Sequence, residues 1–419
     1  MKFSEYSISR VIKDNLKQLG FIRPTDIQFK AIPPILRGED VLAVAQTGTG
    51  KTAAFAIPII NKIHQYKTTK RSTGIKCIIL VPTRELALQT GAVFTALSRH
   101  TKVAAFTLHG GVEQDAQINR LRDGIDILIA TPGRMFDLIN QKEIKLEKVS
   151  TLVLDEADHM LDLGFIDDID YVKKMLTSRH QTLFFSATIN PEIKKLAFSQ
   201  VKTSAIRIQV SPDDPVSRNV THFVMFVEMD DKRLYLEKFI KDHAESKILV
   251  FVRTKVRAER VAKAMERVSI AALTIHGQKD QSERTAVMTA FKTNKARILI
   301  ATDISARGID IPDVHFVVNY DLPEKVENYV HRVGRTGRGV SKGSAISFCS
   351  KEERTLLGEI EQFLTRKIEV IKTDRSEVLP QTGGQTKKQS VEELIAQHHQ
   401  WLNRKKKKRG TMRKKRKSG

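Results

Sequence analysis

The residues best suited to chemistry lie in the segment Ala45-Gln-Thr-Gly-Thr-Gly-Lys-Thr52, between a β-branched run and a helical pattern. Gly48 and Gly50 let the backbone wrap so that its N–H groups face phosphate oxygens, as in a phosphate-binding loop. Lys51 offers a charge to the β- and γ-phosphates, and the Thr52 hydroxyl can ligate Mg²⁺. The common pattern begins with glycine, and Ala45 departs from it. The segment predicts a nucleotide site that also includes Gln46, Thr47 and Thr49.

A second candidate is an apolar run that ends in two carboxylates, Thr151-Leu-Val-Leu-Asp155-Glu156. A strand of this kind can carry Asp155 to Mg²⁺ beside the phosphate loop. Glu156 faces differently and can orient and deprotonate an attacking water. An isolated acidic pair at a strand end can equally serve solubility alone. Because the phosphate loop lies about 105 residues upstream, we interpret the pair as a hydrolytic centre.

The elements that must position these groups are short apolar runs that alternate with helical patterns. Continuously apolar strands between helices are typical of a parallel sheet that helices cover on both faces. Two prolines interrupt the alternation at 211–219, which we interpret as a linker between domains at 1–210 and 220–372. The predicted strands are Val41–Ala45, Cys77–Val81, Val103–Leu108, Ile127–Ala130, Thr151–Leu154, Thr182–Phe185, Ile206–Val210, Phe223–Val227, Ile248–Val252, Ala271–Ile275, Ile298–Ala301, Phe316–Asn319, Ser344–Phe348 and Ile368–Ile371.

Composition restricts the class of protein. A chain of 419 residues is long enough for two domains with buried cores. No run of about 18 apolar residues occurs and the mean hydropathy is −0.29, which excludes an integral membrane protein. Charged residues interrupt the N-terminal apolar pattern, so we expect no signal peptide. Cys77 and Cys349 lie in apolar runs without metal-ligand spacing, which indicates buried thiols and a cytoplasmic location.

The net charge of +23 indicates a polyanionic partner. Trp401–Gly419 contains eleven Lys or Arg and no Asp or Glu, so the other 400 residues still carry +12. Nucleic acid is the partner that this charge favours, with a merely soluble basic protein as the alternative. We predict a flexible basic tail at 373–419. Its runs Lys405–Arg409 and Arg413–Lys417 could tether phosphates or serve only solubility.

Together with the phosphate loop, Asp155-Glu-Ala-Asp158 resembles the signature of the DEAD-box RNA helicases of superfamily 2. About a dozen motifs stand in the family's order between Phe3 and Ile371, and the chain looks similar to bacterial RhlE-like members. The resemblance implies two tandem RecA-like domains of α/β class, each with a parallel sheet covered by helices. It implies ATP, Mg²⁺ and RNA as ligands, with RNA-stimulated ATP hydrolysis that drives local duplex unwinding or ribonucleoprotein remodelling.

The resemblance also assigns roles in the first domain. Gln28 would contact adenine, because an amide can donate and accept at one base edge, and Phe21, Arg23 and the upstream Phe3 would lie near the base. Hydrolysis would be coupled to strand separation through Asp158, Ser186 and Thr188. Contacts with the RNA backbone would come from three segments that contain Pro82, Thr83, Arg84, Gly110, Gly111, Thr131 and Arg134.

In the second domain, the resemblance implies that Arg335 and Arg338 act as arginine fingers. A glycine-spaced arginine pair suits the stabilisation of transition-state charge on a phosphoryl group. The alternative is that these arginines form only an RNA-binding patch. Gly308 and Asp310 would line the nucleotide, and His331 would take part in coupling. RNA contacts would come from Gln281, Arg284, Thr302 and Asp303.

Three functions therefore compete: an RNA helicase, a DNA-directed motor of the same superfamily, and a non-catalytic RNA-binding or annealing protein. The adenine motif together with Asp155-Glu-Ala-Asp158 argues against the DNA motor. The presence of every catalytic residue argues against the non-catalytic protein. We predict an ATP-dependent RNA helicase that acts as a monomer, with no membrane partner. Ribosomal or RNA-decay ribonucleoproteins are both compatible as its targets.

Overall fold

The apolar runs form two parallel sheets in two compact units of the chain. The structure is a computed structural model that describes residues 2–46, 48–69, 72–210, 219–306, 311, 313–337 and 342–372. The predicted linker except for Asn219, and the predicted tail at 373–419, lie outside the described residues. Each predicted strand is present in the described residues, with bounds that differ by up to three residues. The domain boundaries remain a prediction.

The first unit contains a sheet whose strands all pair in parallel. The strand order is β3-β4-β2-β5-β6-β1-β7. The strands are β1 (Val41–Val44), β2 (Cys77–Leu80), β3 (Ala105–Leu108), β4 (Ile127–Ala130), β5 (Thr151–Leu154), β6 (Gln181–Ser186) and β7 (Ile206–Gln209). The helices are α1 (Arg10–Gln18), α2 (Asp26–Leu36), α3 (Lys51–Tyr66), α4 (Arg84–Leu97), α5 (Gln114–Arg122), α6 (Pro132–Asn140), α7 (Ala157–Asp162), α8 (Ile166–Met175) and α9 (Pro191–Gln200).

The second unit repeats this architecture, and its described strands also pair in parallel. The strand order is β10-β11-β9-β12-β13-β8-β14. The strands are β8 (Val220–Phe226), β9 (Ile248–Phe251), β10 (Leu273–Ile275), β11 (Ile298–Ala301), β12 (Phe316–Asn319), β13 (Gly343–Cys349) and β14 (Glu369–Val370). The helices are α10 (Lys232–Asp242), α11 (Lys255–Glu266), α12 (Gln281–Lys292), α13 (Asp303–Ala306), α14 (Val326–Val333) and α15 (Arg354–Phe363).

Side chains of alternate residues in each strand enter cores on opposite faces of the sheet. In β2, Cys77 and Ile79 belong to one hydrophobic cluster, whereas Ile78 and Leu80 belong to another. This two-residue period is the geometry of a strand, and burial on both faces explains why the sequence is apolar without alternation. Both cysteines are buried, as predicted. None of the helices in the described ranges is both long and apolar enough to cross a membrane.

Side-chain caps fix where several helices begin, and therefore where the loops before them end. Thr83, Asn190, Thr254 and Asp280 each accept a hydrogen bond from a backbone N–H in the first turn of α4, α9, α11 and α12. Such caps stabilise a helix by about 1 kcal/mol each. Because these helices follow parallel strands, each cap lies near the carboxyl edge of its sheet, the edge at which α/β proteins bind ligands.

Strand β8 begins three residues earlier than the sequence predicted, because polar residues there are buried in the sheet. Val220–His222 pair in register with Gly343–Ala345. The His222 Nδ1 atom lies 2.8 Å from the Tyr329 hydroxyl oxygen. Burial and, to a smaller extent, the charge of Arg366 lower the pKa of His222 to about 3. The imidazole is therefore neutral in the folded protein at pH values where an unfolded histidine is charged.

This histidine predicts a pH-dependent stability for the second unit. Below an unfolded pKa of about 6.5 the unfolded chain binds a proton that the folded chain does not. The contribution of the neutral His222 to the free energy of unfolding is therefore fully present above about pH 6.5. Below that pH it falls by about 1.4 kcal/mol per pH unit. We expect the free energy of opening of the β8 and β13 amides to fall by about 2 kcal/mol between about pH 6.5 and pH 5. Native-state hydrogen exchange measures this free energy. In His222→Gln this loss should disappear, and an unchanged profile in that variant would contradict the account.

Candidate active site

The phosphate loop forms between the carboxyl end of β1 and the amino end of α3, as the sequence predicts. Gly48 has a φ of 86° and Gly50 has a φ of 92°, a left-handed conformation that glycine adopts without steric cost. Lys51 begins α3 and is buried, and its Nζ atom has no hydrogen-bond partner among the described residues. An ammonium group buried without a partner is costly unless a ligand supplies an anion. The loop therefore fits a phosphate.

The acidic run lies at the end of β5, next to the loop. Asp155 and Glu156 are both buried. The pKa of Asp155 is raised to about 6, chiefly by burial and also by the charges of Glu156 and Asp158, against the opposing effect of the Lys51 ammonium group. Glu156 has a left-handed backbone with a φ of 51°, a strained conformation for a residue with a side chain and one that is concentrated at functional sites.

A divalent cation fits these side chains. A buried carboxylate with acidic neighbours gains from a nearby cation, and Mg²⁺ prefers one or two protein oxygens together with phosphate oxygens. Asp155 supplies such a carboxylate, and Thr52 lies half-buried in the first turn of α3. Among the described residues no group of three or more His, Cys, Asp or Glu side chains could hold a metal ion. The arrangement therefore suits a cation that arrives with a nucleotide.

Asp158 ties the acidic run to the end of the neighbouring strand β6. Its Oδ2 atom accepts three hydrogen bonds, from Ala187 N at 3.2 Å, Thr188 N at 3.0 Å and Thr188 Oγ1 at 2.9 Å. The Ser186 hydroxyl donates to the carbonyl oxygen of Thr188 at 2.8 Å. The backbone N–H of Ala45 donates to the Ser186 carbonyl oxygen at 3.0 Å. A continuous path of bonds thus joins the acidic run, the Ser186–Thr188 segment and the phosphate loop.

Gln28 connects the phosphate loop to α2. Its Oε1 atom accepts the backbone N–H of Thr25 at 3.0 Å, and its Nε2 atom donates to the Gly50 carbonyl oxygen at 3.1 Å. The side chain is buried, so these bonds fix the amide against the loop. Phe21 is half-buried and packs edge-on against the buried Phe3, with ring centroids 6.0 Å apart. Arg23 is exposed on the segment between them and α2.

The predicted RNA-contacting residues of the first unit lie together at the ends of β2, β3 and β4. The Arg84 Nη1 atom donates to the carbonyl oxygens of Gly110 and Gly111 at 3.0 and 2.9 Å. Arg134 donates to Gln117 Oε1 at 2.6 Å and to a carbonyl oxygen in the same loop at 3.2 Å. Two cationic side chains therefore hold the loop that follows β3. Pro82, Thr83 and Thr131 complete this group, at the starts of α4 and α6.

Sequence reasoning missed Gln117 and the pairing of Asp303. Gln117 is buried in α5 and also donates to the His109 carbonyl oxygen at 3.2 Å; no motif marks it. Asp303, predicted to contact RNA, forms a bidentate ion pair with Arg332 at 2.5 and 2.9 Å. Arg332 is buried and also donates to Asn319 and to the Asp321 carbonyl oxygen, so it acts as a structural arginine within the second unit.

The remaining predicted residues of the second unit lie on α12, just after β11, and on or just after α14. Gln281 and Arg284 occupy the first turn of α12, and Arg284 Nη1 donates to the His276 carbonyl oxygen at 3.4 Å. The Thr302 hydroxyl lies 3.3 Å from that of Ser305. Arg335 is buried, and its Nε atom donates to the carbonyl oxygen of the buried His331 at 3.1 Å. Thr47, Gly308, Asp310 and Arg338 lie outside the described residues.

Comparison with known proteins identifies the family. The DEAD/DEAH box helicase family matches residues 25–196, and the helicase conserved C-terminal domain matches residues 231–340. The ATP-dependent RNA helicase CshA of Listeria monocytogenes is 38% identical over 368 residues, which cover 88% of this chain and 70% of that protein. This chain belongs to the DEAD-box RNA helicase family. CshA of Bacillus subtilis is 37% identical over 370 residues, which cover 88% of this chain and 74% of that helicase.

Solved structures of DEAD-box proteins have the same fold. S. cerevisiae Dbp5 bound to RNA and ADP BeF3 gives a TM-score of 0.81 at 30% identity, over 90% of this chain and 96% of that one. The DEAD-box helicase Mss116 bound to ssRNA and UDP-BeF also gives a TM-score of 0.81 at 30% identity. The match covers 90% of this chain and 81% of the Mss116 chain. The prediction of two tandem RecA-like domains with parallel sheets is therefore confirmed.

The contact between Gln28 and the loop predicts that Gly50 is sensitive to substitution. A Cβ atom at Gly50 would lie 2.4 Å from Gln28 Nε2, so Gly50→Ala must displace the buried amide. Gly38 has a φ of 83° and nothing within 4 Å of an added Cβ, which makes Gly38→Ala the matched control. Both variants should lose about 1–2 kcal/mol of stability. Only Gly50→Ala should weaken binding of a fluorescent ADP analogue, by about tenfold or more; equal affinities would contradict this role.

Proposed function

We propose that this helicase hydrolyses ATP in response to RNA and uses the cycle to open short duplexes or remodel ribonucleoproteins. The observation that carries the proposal is the path of hydrogen bonds from the phosphate loop through Ser186 to Asp158. It joins the nucleotide residues on β1, β5 and β6 to one another, and β5 lies beside β2, which leads to the RNA-contacting residues. The relatives described above are ATP-dependent RNA helicases, and the Dbp5 structure contains RNA and a nucleotide.

The proposed hydrolytic roles follow from burial and charge. Lys51 binds the β- and γ-phosphates, because its ammonium group is buried and lacks a hydrogen-bond partner in the described residues. Asp155 and Thr52 hold Mg²⁺, which neutralises charge on the phosphates when it is bound. Glu156 orients the attacking water and accepts its proton. Its left-handed backbone turns the side chain away from the line of β5 and fixes it at the start of α7.

The proposed adenine contact uses the hydrogen-bonding positions of the Gln28 amide that the protein itself does not occupy. Its bonds to Thr25 and Gly50 use one acceptor position and one donor. A side-chain amide has two donors and two acceptor positions, so one of each remains for a base edge. Phe21 and Arg23 would lie beside the base, and Gln46, Gly48 and Thr49 would surround the phosphates together with Ala45 and Thr47.

The second unit is proposed to complete the site. Arg335 and Arg338 would stabilise transition-state charge, Gly308 and Asp310 would contact the nucleotide, and His331 would link them to hydrolysis. Binding of ATP and RNA together would favour a closed arrangement in which RNA is bent and one strand is released. Support comes from the hydrogen bond that Arg335 Nε donates to the His331 carbonyl oxygen, which fixes the side chain as far as its Nε atom.

RNA contacts are proposed for the groups at the strand ends of both units. Arginines, hydroxyls and backbone N–H groups suit sugar and phosphate and carry little base information. In the second unit the contacts of Gln281, Arg284 and Thr302 would be direct, whereas Asp303 would act through its ion pair with Arg332. The basic tail at 373–419 would add affinity that depends strongly on salt concentration.

Several finer assignments remain predictions. The relatives described above are CshA proteins, so a place among RhlE-like members is unconfirmed. We retain the domain boundaries at 1–210, 220–372 and 373–419. We also propose a monomeric protein in the cytoplasm, with ribosomal or RNA-decay ribonucleoproteins as targets.

The assignment of the general base is tested by Glu156→Gln. Removing a positioned base costs about 10²–10⁴ in rate, so kcat for ATP hydrolysis and the rate of duplex unwinding should both fall by that factor. Binding of the fluorescent ADP analogue should be unchanged. Glu147→Gln, which alters an exposed carboxylate, is the control and should keep full activity. A Glu156→Gln enzyme with near wild-type hydrolysis means that another group is the base.

The arginine finger is tested by Arg335→Ala and Arg335→Lys. An arginine finger contributes about 10³–10⁵ in rate, so both variants should lose turnover while retaining affinity for ATP. Arg297→Ala, which removes an exposed arginine that pairs with Glu245, is the control. Because Arg335 is buried, unfolding should be measured for each variant. Loss of ATP affinity with unchanged kcat would refute the catalytic role.

A further inference from the structure

A cavity of about 320 Å³ lies at the amino edge of the first sheet, opposite the edge that carries the active site. Residues that stand at or just before the amino ends of strands line one side of it, among them Lys76, Asp126, Thr151 and Gln181. The carboxyl half of α3 and the loop after it line the other side. We call this the amino-edge cavity. No residue of the proposed catalytic or RNA-binding groups lines it.

The floor of the amino-edge cavity is aliphatic and its rim carries an aromatic side chain. Ile35, Pro58, Ile59 and Ile63 provide the apolar surface. Tyr66, the last residue of α3, is 80% exposed. A concave apolar surface with a few polar groups at its margin is the usual form of a site that binds a side chain or a small ligand.

Hydrogen bonds hold the described residues that line the cavity after α3. The Lys102 ammonium group donates to the carbonyl oxygens of Lys67 and Thr68 at 3.2 and 3.0 Å. The Lys148 ammonium group donates to the Thr73 carbonyl oxygen at 2.8 Å. The described residues on both sides of positions 70–71 are therefore tied to the body of the unit. A wall fixed in this way reduces the entropy that a ligand must overcome.

The charge of the lining is strongly unbalanced. Asp126 is the one carboxylate among the described lining residues. It forms an ion pair with Lys67 at 2.5 Å and accepts a hydrogen bond from the Ala104 N–H at 2.8 Å. Lys62 and Lys76 have no ion pair with a carboxylate among the described residues. Burial lowers the pKa of Lys76, the charge of Lys148 lowers it further, and Asp126 raises it. Two ammonium groups thus stand beside an apolar floor without a close ion pair in the described structure, and the one carboxylate of the lining is paired with Lys67.

We propose that the amino-edge cavity docks a partner protein through an acidic segment that inserts an apolar side chain. The two lysines recognise the acidic residues, and the isoleucines of α2 and α3 bury the apolar one. RNA fits the site less well, because single-stranded RNA is held by exposed stacking surfaces along a groove, whereas the floor of this cavity is aliphatic. Because the site lies on the edge opposite the active site, a docked partner leaves the ATP-binding and RNA-binding edge open.

A peptide selection tests the proposal on the full 419-residue protein. Short random peptides displayed on phage are selected on the wild-type chain and counter-selected on Lys62→Glu, Lys76→Glu. Enriched peptides are then labelled, and their affinities are measured by fluorescence anisotropy. The matched control is Lys17→Glu, Lys195→Glu, which makes the same charge change at two exposed lysines elsewhere.

We expect enriched peptides to combine acidic residues with a bulky apolar one. Their affinity should fall about tenfold or more in the double variant and in Tyr66→Ala, and should be unchanged in the control. Each variant should remain folded, as its thermal unfolding will show, and ATP hydrolysis should be unchanged because these side chains lie outside the active site. Failure to enrich such peptides, or equal binding to the double variant, would overturn the proposal. So would an equal loss of affinity for a short oligouridine, which would make the surface an RNA site.

Discussion

The carboxylate of Asp158 is the interaction on which the active edge of this helicase depends. One oxygen accepts three hydrogen bonds from Ala187 and Thr188, in a buried environment where each bond to a charged acceptor contributes about 1.5–3 kcal/mol. These bonds fix the end of β6 against the start of α7. Because Ala45 donates to Ser186, the phosphate loop takes its position from the same contact. Movement at any one of the three segments must therefore change the other two.

The strand order places this contact in the middle of the sheet. Reading across the carboxyl edge, β3, β4 and β2 carry the arginines and glycines of the RNA-contacting group, and β5, β6 and β1 carry the nucleotide group. The loops that follow parallel strands all lie at one edge of the sheet. Motifs that are more than a hundred residues apart in the sequence therefore meet there. The second sheet has the equivalent strand order, and Gln281, Arg284, Thr302 and Asp303 follow β10 and β11 at its carboxyl edge.

The sequence predicted the strands well because burial on both faces leaves an unmistakable apolar run, as in Ile78 and Ile79. It also predicted the chemistry of Lys51 and Asp155, whose types and spacing admit few other uses. It could not predict which predicted RNA-contacting residues also hold the structure together. Arg84 and Arg134 bind loop carbonyl oxygens, and Asp303 is paired with Arg332. Such pairings depend on the distance between side chains in space, and no local pattern records them.

Burial of polar groups was the other feature that the sequence concealed. His222 lies inside β8, and Lys232 is fully buried with Glu353, whose Oε2 atom lies 2.5 Å from the lysine Nζ. Lysine and glutamate are mostly exposed in proteins and histidine is intermediate, so residue type alone did not indicate this burial. The amino-edge cavity is a similar case, because its lining comes from the starts of four strands and from the carboxyl ends of two helices. Strand starts share an edge only once the sheet is formed.

The central claim is that RNA, and not merely nucleic acid, controls hydrolysis at the site joined by Asp158. The most direct measurement is the steady-state rate of ATP hydrolysis by the full chain with single-stranded RNA and with DNA of the same sequence and length. The account predicts a slow rate without nucleic acid, a large rise in kcat with RNA and little rise with DNA. Equal stimulation by RNA and DNA, or a rate that neither of them changes, would contradict it.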